Sequence, residues 1–211
     1  MKQKTLLALS LIVSVSILAS CGKEQQTDES GNGPLTGDCT FKYDQEATTV
    51  SWTAYKYTEK AAVGGSFHKF QIKDTAAAPS ALGVFEKASF SIDTDSVDSG
   101  NDGRDTKIKK EFFGNMSSQT IEGSVKSLEG DSGVMVLKMN GAEKEVPVSL
   151  SVDGRDVVLT GSINVGDWNA DGPLKALNKV CEALHTGPDK VSKLWPDVDI
   201  KLETSLKADC K

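Results

Sequence analysis

The sequence predicts an all-β domain with short helical insertions, built as eight antiparallel strands closed into a barrel. Three observations carry that reading. Runs in which apolar and polar residues alternate recur from residue 48 to residue 206, the period-two signature of a half-buried strand. Turn signals punctuate them: Glu129-Gly-Asp-Ser-Gly133, Asn140-Gly141 and Asp153-Gly154. Asn-Gly and Asp-Gly favour the positive φ of a type I′ hairpin turn. Connections between successive strands are local, and closing such a meander removes the exposed edges that an open eight-stranded sheet would present.

Ahead of the barrel, Lys2 and Lys4 form a basic start and Leu6 to Leu18 an apolar stretch, followed by Leu18-Ala19-Ser20 as a small-residue cleavage site. Residues 1–20 therefore predict a signal peptide, its apolar stretch too short to span a bilayer comfortably. Because Cys21 follows, Leu18-Ala-Ser-Cys21 resembles a bacterial lipobox, which implies an acylated Cys21 and a lipid-anchored protein of the bacterial cell envelope, periplasmic or outer membrane. Residues 21–37 are polar, with Gly, Pro, Ser and acidic residues, and predict a disordered tether. A coil of that length reaches roughly 20–25 Å. Residues 38–211 suit one domain with one core.

The chain carries 24 Lys+Arg against 30 Asp+Glu, a net charge of −6, and losing Lys2 and Lys4 makes it more negative still. An acidic domain without a basic cluster predicts no nucleic-acid partner.

Taken in order, the first strand is 48–57, with Val50, Trp52 and Ala54 on one face and Ser51, Thr53 and Tyr55 on the other. The second is 62–72, with Gly64-Gly65 near its start; its apolar face shifts between Phe67 and Phe70, as a bulge or one outward phenylalanine would produce. A small-residue loop at 76–82 leads to a third strand at 83–94. A polar loop at 96–103 precedes a short helix with Ile108 and Phe112 four apart. Strands at 119–128, 134–139, 143–152 and 156–166 form the meander, with Ile121, Val125, Met135, Leu137, Met139, Val146, Val148, Leu150, Leu159 and Ile163 inward. Residues 167–193 interrupt as helix: Leu174, Leu177 and Cys181 share a face, Asp171 and Pro173 mark the start, and Gly187-Pro188 the end. The last strand, 198–206, sets Val198, Ile200, Leu202 and Leu206 against Asp199, Lys201 and Glu203.

The stretch 90–116 combines Phe90-Ser-Ile-Asp-Thr94, an acidic loop, Arg104-Asp105, a short helix and Phe112-Phe113. This composite resembles the polyisoprenoid-binding YceI-like family, which are lipocalin-like barrels, and the resemblance extends over residues 41–206. The long insert between Trp168 and Trp195 departs from the commonest pattern of that family. The resemblance implies a barrel that binds or carries an isoprenoid lipid, a quinone or a similar long apolar molecule, without catalysis.

The inward set Trp52, Phe67, Phe90, Ile92, Phe112, Phe113, Leu137, Leu150 and Ile163 contains no polar residue. It would take a hydrocarbon chain by burial alone, and it would equally well pack against itself as the filled core of a structural or surface-interaction lipoprotein. An enzyme acting on an isoprenoid head group is a third reading. Arg104 stands either in a helix start, with Asp102 as its cap and Asp105 in its first turn, or at the barrel mouth against a ligand head group. Asp167-Trp-Asn-Ala-Asp-Gly172 matches the opening of a calcium loop, but its twelfth position is Asn178 where a bidentate glutamate is required; a turn leading into a helix is preferred. Cys181 and His185 have the spacing of zinc ligands but lack a completing pair, so no metal is expected. No serine sits in a nucleophile elbow, and no histidine has an evident carboxylate partner. The reading admits a homodimer as well as a monomer.

With Cys21 acylated, Cys39, Cys181 and Cys210 remain, and export permits a disulfide. In a closed up-and-down barrel the start of the first strand lies beside the end of the last, which favours Cys39–Cys210. The rival pairing is Cys181–Cys210, which requires the helical insert to reach the closing seam. The anchor is tested by Cys21→Ser, which is expected to release the protein from membranes or block its maturation; unchanged membrane association on detergent-free fractionation would exclude the lipobox.

Overall fold

The computed structural model describes Leu35 and residues 37–211. The signal peptide, Cys21 and nearly all of the tether lie outside the described residues. Within them are twelve strands: β1 Cys39–Lys42, β2 Thr48–Lys56, β3 Ala61–Phe67, β4 Phe70–Lys73, β5 Ser89–Asp93, β6 Val97–Asp98, β7 Thr120–Glu129, β8 Ser132–Met139, β9 Ala142–Asp153, β10 Asp156–Asn164, β11 Leu194–Ser205 and β12 Lys207–Cys210. Three α-helical segments accompany them, α1 Asp102–Lys107, α2 Asp171–Val180 and α3 Glu182–His185.

Ten strands form one antiparallel sheet in the order β4-β5-β7-β8-β9-β10-β11-β2-β3-β6. β4 forms one end and β3 lies next to the other, inside the two-residue strand β6, yet only His68 and Lys69 separate β3 from β4 in the chain. The sheet therefore curls back on itself, as the all-β barrel reading requires, with more strands than the eight expected. The extra strands have a local cause. At His68-Lys69 the chain leaves one ladder for another: Phe67 pairs with Val50, while Phe70 pairs with Ile92. The odd spacing of Phe67 and Phe70 thus marks a break between two strands, neither a bulge within one strand nor an outward phenylalanine.

Two further elements differ from expectation. The predicted third strand is only Ser89–Asp93, because Leu82–Phe85 forms a 3₁₀ turn. Val84 and Phe85 are consecutive and both buried, which an alternating strand would not allow. The loop after Ser96 contains β6, which pairs with Ser66 and Phe67 of β3. The meander β7–β10 matches closely. Asn140 and Gly141 both take positive φ, 48° and 75°, in a two-residue turn between Met139 and Ala142, as a type I′ hairpin demands. Between β9 and β10 the central pair is Gly154-Arg155, and there only Gly154 has positive φ.

Two apolar clusters fill the domain. One lines the barrel, with Phe67, Ile92, Phe113, Leu137, Val148 and Trp168 among its buried members. The other closes the base and contains Phe41, Val84, Phe85, Val157 and Leu206. At the base β1 pairs with β12, Cys39 opposite Cys210, and Phe41 exchanges backbone hydrogen bonds with Ala78 at 2.8 and 3.0 Å. The chain thus enters and leaves the domain at the end opposite the one where β2 finishes and β11 begins, at the pair Lys56 and Leu194.

The disulfide joins Cys39 to Cys210, and Cys181 is a buried free thiol. The closure argument holds in modified form: the bridged residues lie in a separate two-stranded ribbon that continues from β11 and precedes β2. A bridge across 171 residues restricts the unfolded chain strongly, by up to about 5 kcal/mol from loop entropy. Replacing Cys39 and Cys210 together with alanine is expected to lower unfolding stability by several kcal/mol, whereas Cys181→Ala leaves the bridge intact. Non-reducing peptide mapping checks the pairing, and a linked peptide containing Cys181 would overturn it.

Candidate ligand-binding tunnel

Inside the curled sheet a chain of cavities runs from the end where β2 finishes to the base. The first, about 390 Å³, is the mouth, and its lining includes Ala54, Lys56, Arg104, Leu177, His185 and Leu194. Next comes a cavity of about 130 Å³ between Ile108, Phe112, Phe113, Met139, Ile163 and Leu174. A third, about 110 Å³, lies between Phe70, Phe90, Ile92, Met135, Leu137 and Leu159. The last, about 50 Å³, ends on Phe85, Ala88, Leu128, Leu150 and Val157. Neighbouring cavities share walls. Trp52, Ala54, Ile108, Leu177 and Leu194 border both the first and the second; Trp52, Phe67, Ile121 and Ile163 border the second and third; and Phe90, Leu159 and Leu202 border the third and fourth. Beyond the mouth, the lining among the described residues is apolar except for Ser51, Ser89, the outward-directed Lys201 and the indole N–H groups of Trp52 and Trp195.

All nine residues expected to face inward line this tunnel. Trp52 spans its upper half, Phe67, Phe112, Phe113 and Ile163 its middle, Phe90, Ile92 and Leu137 the lower part, and Leu150 the base. The mouth residues Lys56, Lys107, Cys181, Leu184, His185 and Leu194 were not foreseen. They come from β2, α1, the insert and β11, and only the fold brings those segments together.

Two glycines keep the tunnel open. Trp52 is directly opposite Gly65, and Phe90 directly opposite Gly123. A Cβ on Gly65 would meet Trp52 Cζ2 at 2.4 Å, and one on Gly123 would meet Phe90 Cζ at 2.3 Å. Each ring therefore lies across the bare backbone of the next strand. An aromatic over a glycine is a recurrent cross-strand device. A sequence signal for it exists: Gly123 interrupts the inward alternation Ile121, Gly123, Val125, where a strand would otherwise bury a large side chain.

Trp52 differs from the other two tryptophans. Trp168 Nε1–H donates to Leu137 O at 3.0 Å and Trp195 Nε1–H to Tyr57 O at 2.6 Å. Trp52 Nε1 is the one buried side-chain nitrogen or oxygen among the described residues with no hydrogen-bond partner. Such an orphan donor costs about 1–3 kcal/mol.

The mouth is cationic. Lys56, Arg104 and Lys107 line it, and no carboxylate does. Arg104 is part of a built corner: its Nε and Nη2 donate to Ser99 Oγ and O at 2.7 and 2.6 Å, while buried Asp105 accepts from Ser99 N at 3.0 Å and from Ser99 Oγ. The cap of α1 is Asn101, whose Oδ1 accepts from Arg104 N at 2.9 Å. Asp102, expected as the cap, lies one residue inside the helix. Arg104 thus serves the loop and faces the mouth at once. Lys56 Nζ donates to Leu184 O at 3.3 Å. His185 Nδ1–H donates to Asn178 Oδ1 at 2.8 Å, leaving Nε2 as an acceptor. Burial, aided by Lys56 and Lys107, lowers the His185 pKa to about 4.

The remaining candidates resolve into structure. Residues Val165–Trp168 form a 3₁₀ turn, Asn169 takes φ 58°, and Asp171 opens α2, the turn-into-helix reading of that segment. Cys181 breaks the insert between α2 and α3. His68, contrary to the sequence reading, has a carboxylate partner: its Nε2 lies 2.6 Å from Asp98 Oδ2. The strand break at His68 and the pairing of β6 with β3 join residues 30 positions apart, which no local pattern reveals. Both side chains are well exposed on the outside of the sheet.

Trp168→Phe is expected to cost roughly 2–3 kcal/mol, because it removes a buried hydrogen bond and leaves a gap. Trp52→Phe should cost less than about 1 kcal/mol, since no hydrogen bond is lost and the ring already faces open space. Urea melts of the two variants compare them directly. For His185, the folded pKa lies below that of the unfolded chain. Its contribution to stability is complete above the ordinary imidazole range near pH 6.5 and is lost as pH falls toward 4. NMR titration of His185 is expected to show a neutral ring down to about pH 4; a midpoint near 6.5 would contradict the buried placement.

Comparison with known proteins agrees with this geometry. The family described as the YceI-like domain matches residues 41–206. Among solved structures, a polyisoprenoid-binding domain from Saccharophagus degradans, implicated in plant cell wall breakdown, superposes with a TM-score of 0.52 at 13% identity, covering 82% of this chain and all of that one. BcnA of Burkholderia cenocepacia gives 0.50 at 19% identity, over 79% of this chain and 99% of its own. At such identities these structures speak to the fold. Comparison with curated proteins returned no match. A barrel of this topology, with the family's pattern over most of its length, is what the YceI-like domain describes, and the chain belongs to that family.

Proposed function

We propose that this protein is an exported, lipid-anchored carrier of the bacterial cell envelope that holds a polyisoprenoid lipid, an isoprenoid quinone or a similar long apolar molecule in its barrel. The observation that carries the reading is the tunnel: four cavities with shared walls, apolar below the mouth, held open where Trp52 and Phe90 lie on glycines. A filled structural core would bring those rings inward to pack against one another. Burying hydrocarbon gives a gross gain of about 0.8 kcal/mol per methylene, partly offset by the ordering of a flexible chain. No directed contact is needed along most of the length, which suits a chain of repeated units. Polar demands concentrate at the ends of the ligand. Arg104, Lys56 and Lys107 stand at the mouth for a head group. The orphan N–H of Trp52 supports a ligand that places an oxygen beside it. The family relationship supports apolar binding, and no step of chemistry is assigned to the site.

The test is mass spectrometry of an organic extract of purified protein. A stoichiometric long apolar molecule is expected; an empty barrel supports the filled-scaffold reading, and a chemically altered head group the enzymatic one. Ala54, half-buried at the neck between the first two cavities, offers a plug. Ala54→Phe is expected to reduce recovered ligand severalfold while circular dichroism remains that of the parent. Undiminished occupancy would place the ligand elsewhere.

A further inference from the structure

The mouth is also where exposed apolar residues gather. Four large hydrophobic side chains are exposed among the described residues, and three of them, Val180 at 46%, Leu184 at 58% and Val191 at 47%, belong to the insert beside the mouth. The fourth, Val152, lies at the end of β9 toward the base. Scattered exposed apolar residues need no explanation. Three within residues 180–191, beside the opening of an apolar tunnel, do.

Cations surround them. Lys56, Arg104 and Lys107 line the opening, and Lys179, Lys190 and Lys193 belong to the insert and its flank. The half-buried ring of Trp195 lies 4.4 Å from Lys60 Nζ and 3.3 Å from Lys193 Nζ. Glu59, Glu182, Asp189 and Asp197 share this end, and Asp197 pairs with Lys60 at 2.8 Å. Asp189 is already engaged, accepting from Thr58 Oγ1 at 2.6 Å and Val191 N at 3.1 Å. A protein of net charge −6 therefore places its open, cation-lined end among exposed aliphatics and a tryptophan. Aliphatic side chains that enter a headgroup layer, lysines with apolar stems and charged tips, and a tryptophan at the boundary form the pattern of an interfacial lipid contact. Exposed aliphatics ringed by lysine and arginine charges complement an anionic headgroup layer, which makes a bilayer the occupant of this face.

We propose that this end of the barrel docks on the surface of an anionic bilayer. Val180, Leu184 and Val191 enter the headgroup region, Lys56, Lys107 and Arg104 meet lipid phosphates, and the tunnel opens onto lipid instead of water. The cargo passing through that opening rests on the carrier reading; the docking itself is measured without it. The probe is residues 21–211 carrying Cys21→Ser, so that neither the apolar stretch Leu6 to Leu18 nor an acyl anchor contributes, floated with vesicles of phosphatidylcholine alone or with about one-third phosphatidylglycerol. Binding is expected to the anionic vesicles, to weaken with salt, and to be slight on neutral ones. Leu184→Ser combined with Val191→Ser should lower partitioning about tenfold, and Lys107→Glu at least about fivefold. Val152→Ser, equally exposed at the other end, should change nothing. Absence of binding to anionic vesicles, or equal loss in the Val152 variant, would overturn the proposal. A stoichiometric apolar extract from protein that ignores vesicles would leave the carrier reading standing and remove the docking face. Vesicle binding by an empty barrel would do the reverse.

Discussion

Trp52 lies across Gly65 and Phe90 across Gly123, each pair directly opposite in register, and the tunnel depends on both. A barrel of about eight strands has an interior that its own side chains can fill or that can hold one small ligand, and the width grows with strand number. Whether it becomes a core or a conduit turns on where the largest inward residues put their rings. With a Cβ on the opposing residue, neither pair could keep its arrangement, because contacts of 2.3–2.4 Å are not sustainable. Ring or strand would have to shift, and the lumen is the open space available to the ring. Backbone also approaches closely at both glycines: Asp98 O would lie 2.6 Å from a Cβ on Gly65, and Val136 O 2.4 Å from one on Gly123. The same two positions therefore serve strand pairing and lumen volume together.

The base and the mouth divide the remaining work. At the base, Phe41, Val84, Phe85, Val157 and Leu206 pack tightly, and the β1–β12 ribbon with its disulfide ties both chain ends to that plug. The consequence is a closed floor that holds its shape without the interior being filled. At the mouth, elements far apart in sequence converge: the end of β2, the corner built by Ser99, Arg104 and Asp105, and the insert between β10 and β11. Arg104 and Asp105 fix Ser99 from two sides, so a charged group borders the opening on a rigid support.

Burial and charge act together at His185. Its ring is held neutral by desolvation and by Lys56 and Lys107, so the mouth keeps its positive character in fixed lysine and arginine charges rather than in a titrating imidazole. The neutral ring leaves an acceptor beside cations. That combination remains constant across ordinary pH.

Much of this was readable from residue order alone. The alternating runs, the Asn140-Gly141 turn and the inward identity of Trp52, Phe67, Phe90, Ile92, Leu137, Leu150 and Ile163 follow from strand periodicity and turn stereochemistry, which are local properties. The Phe90 to Phe113 composite identified the family, and barrel closure favoured the pairing of Cys39 with Cys210. The odd spacing of Phe67 and Phe70 shows an irregularity at His68-Lys69, but a change of ladder partner is invisible in a run whose residues remain strand-like. Nor was the 3₁₀ turn readable at Leu82–Phe85, where burial against Phe41 and Leu206 overrides the extended preference. The sequence by itself determined which residues face inward. Only the tertiary structure decided that the inward space stays open, and that Lys56, Lys107, Arg104 and His185 meet at one end of it. An aromatic ring's direction and a charge cluster's composition depend on neighbours tens of residues away across the sheet, and periodicity carries no information about those neighbours.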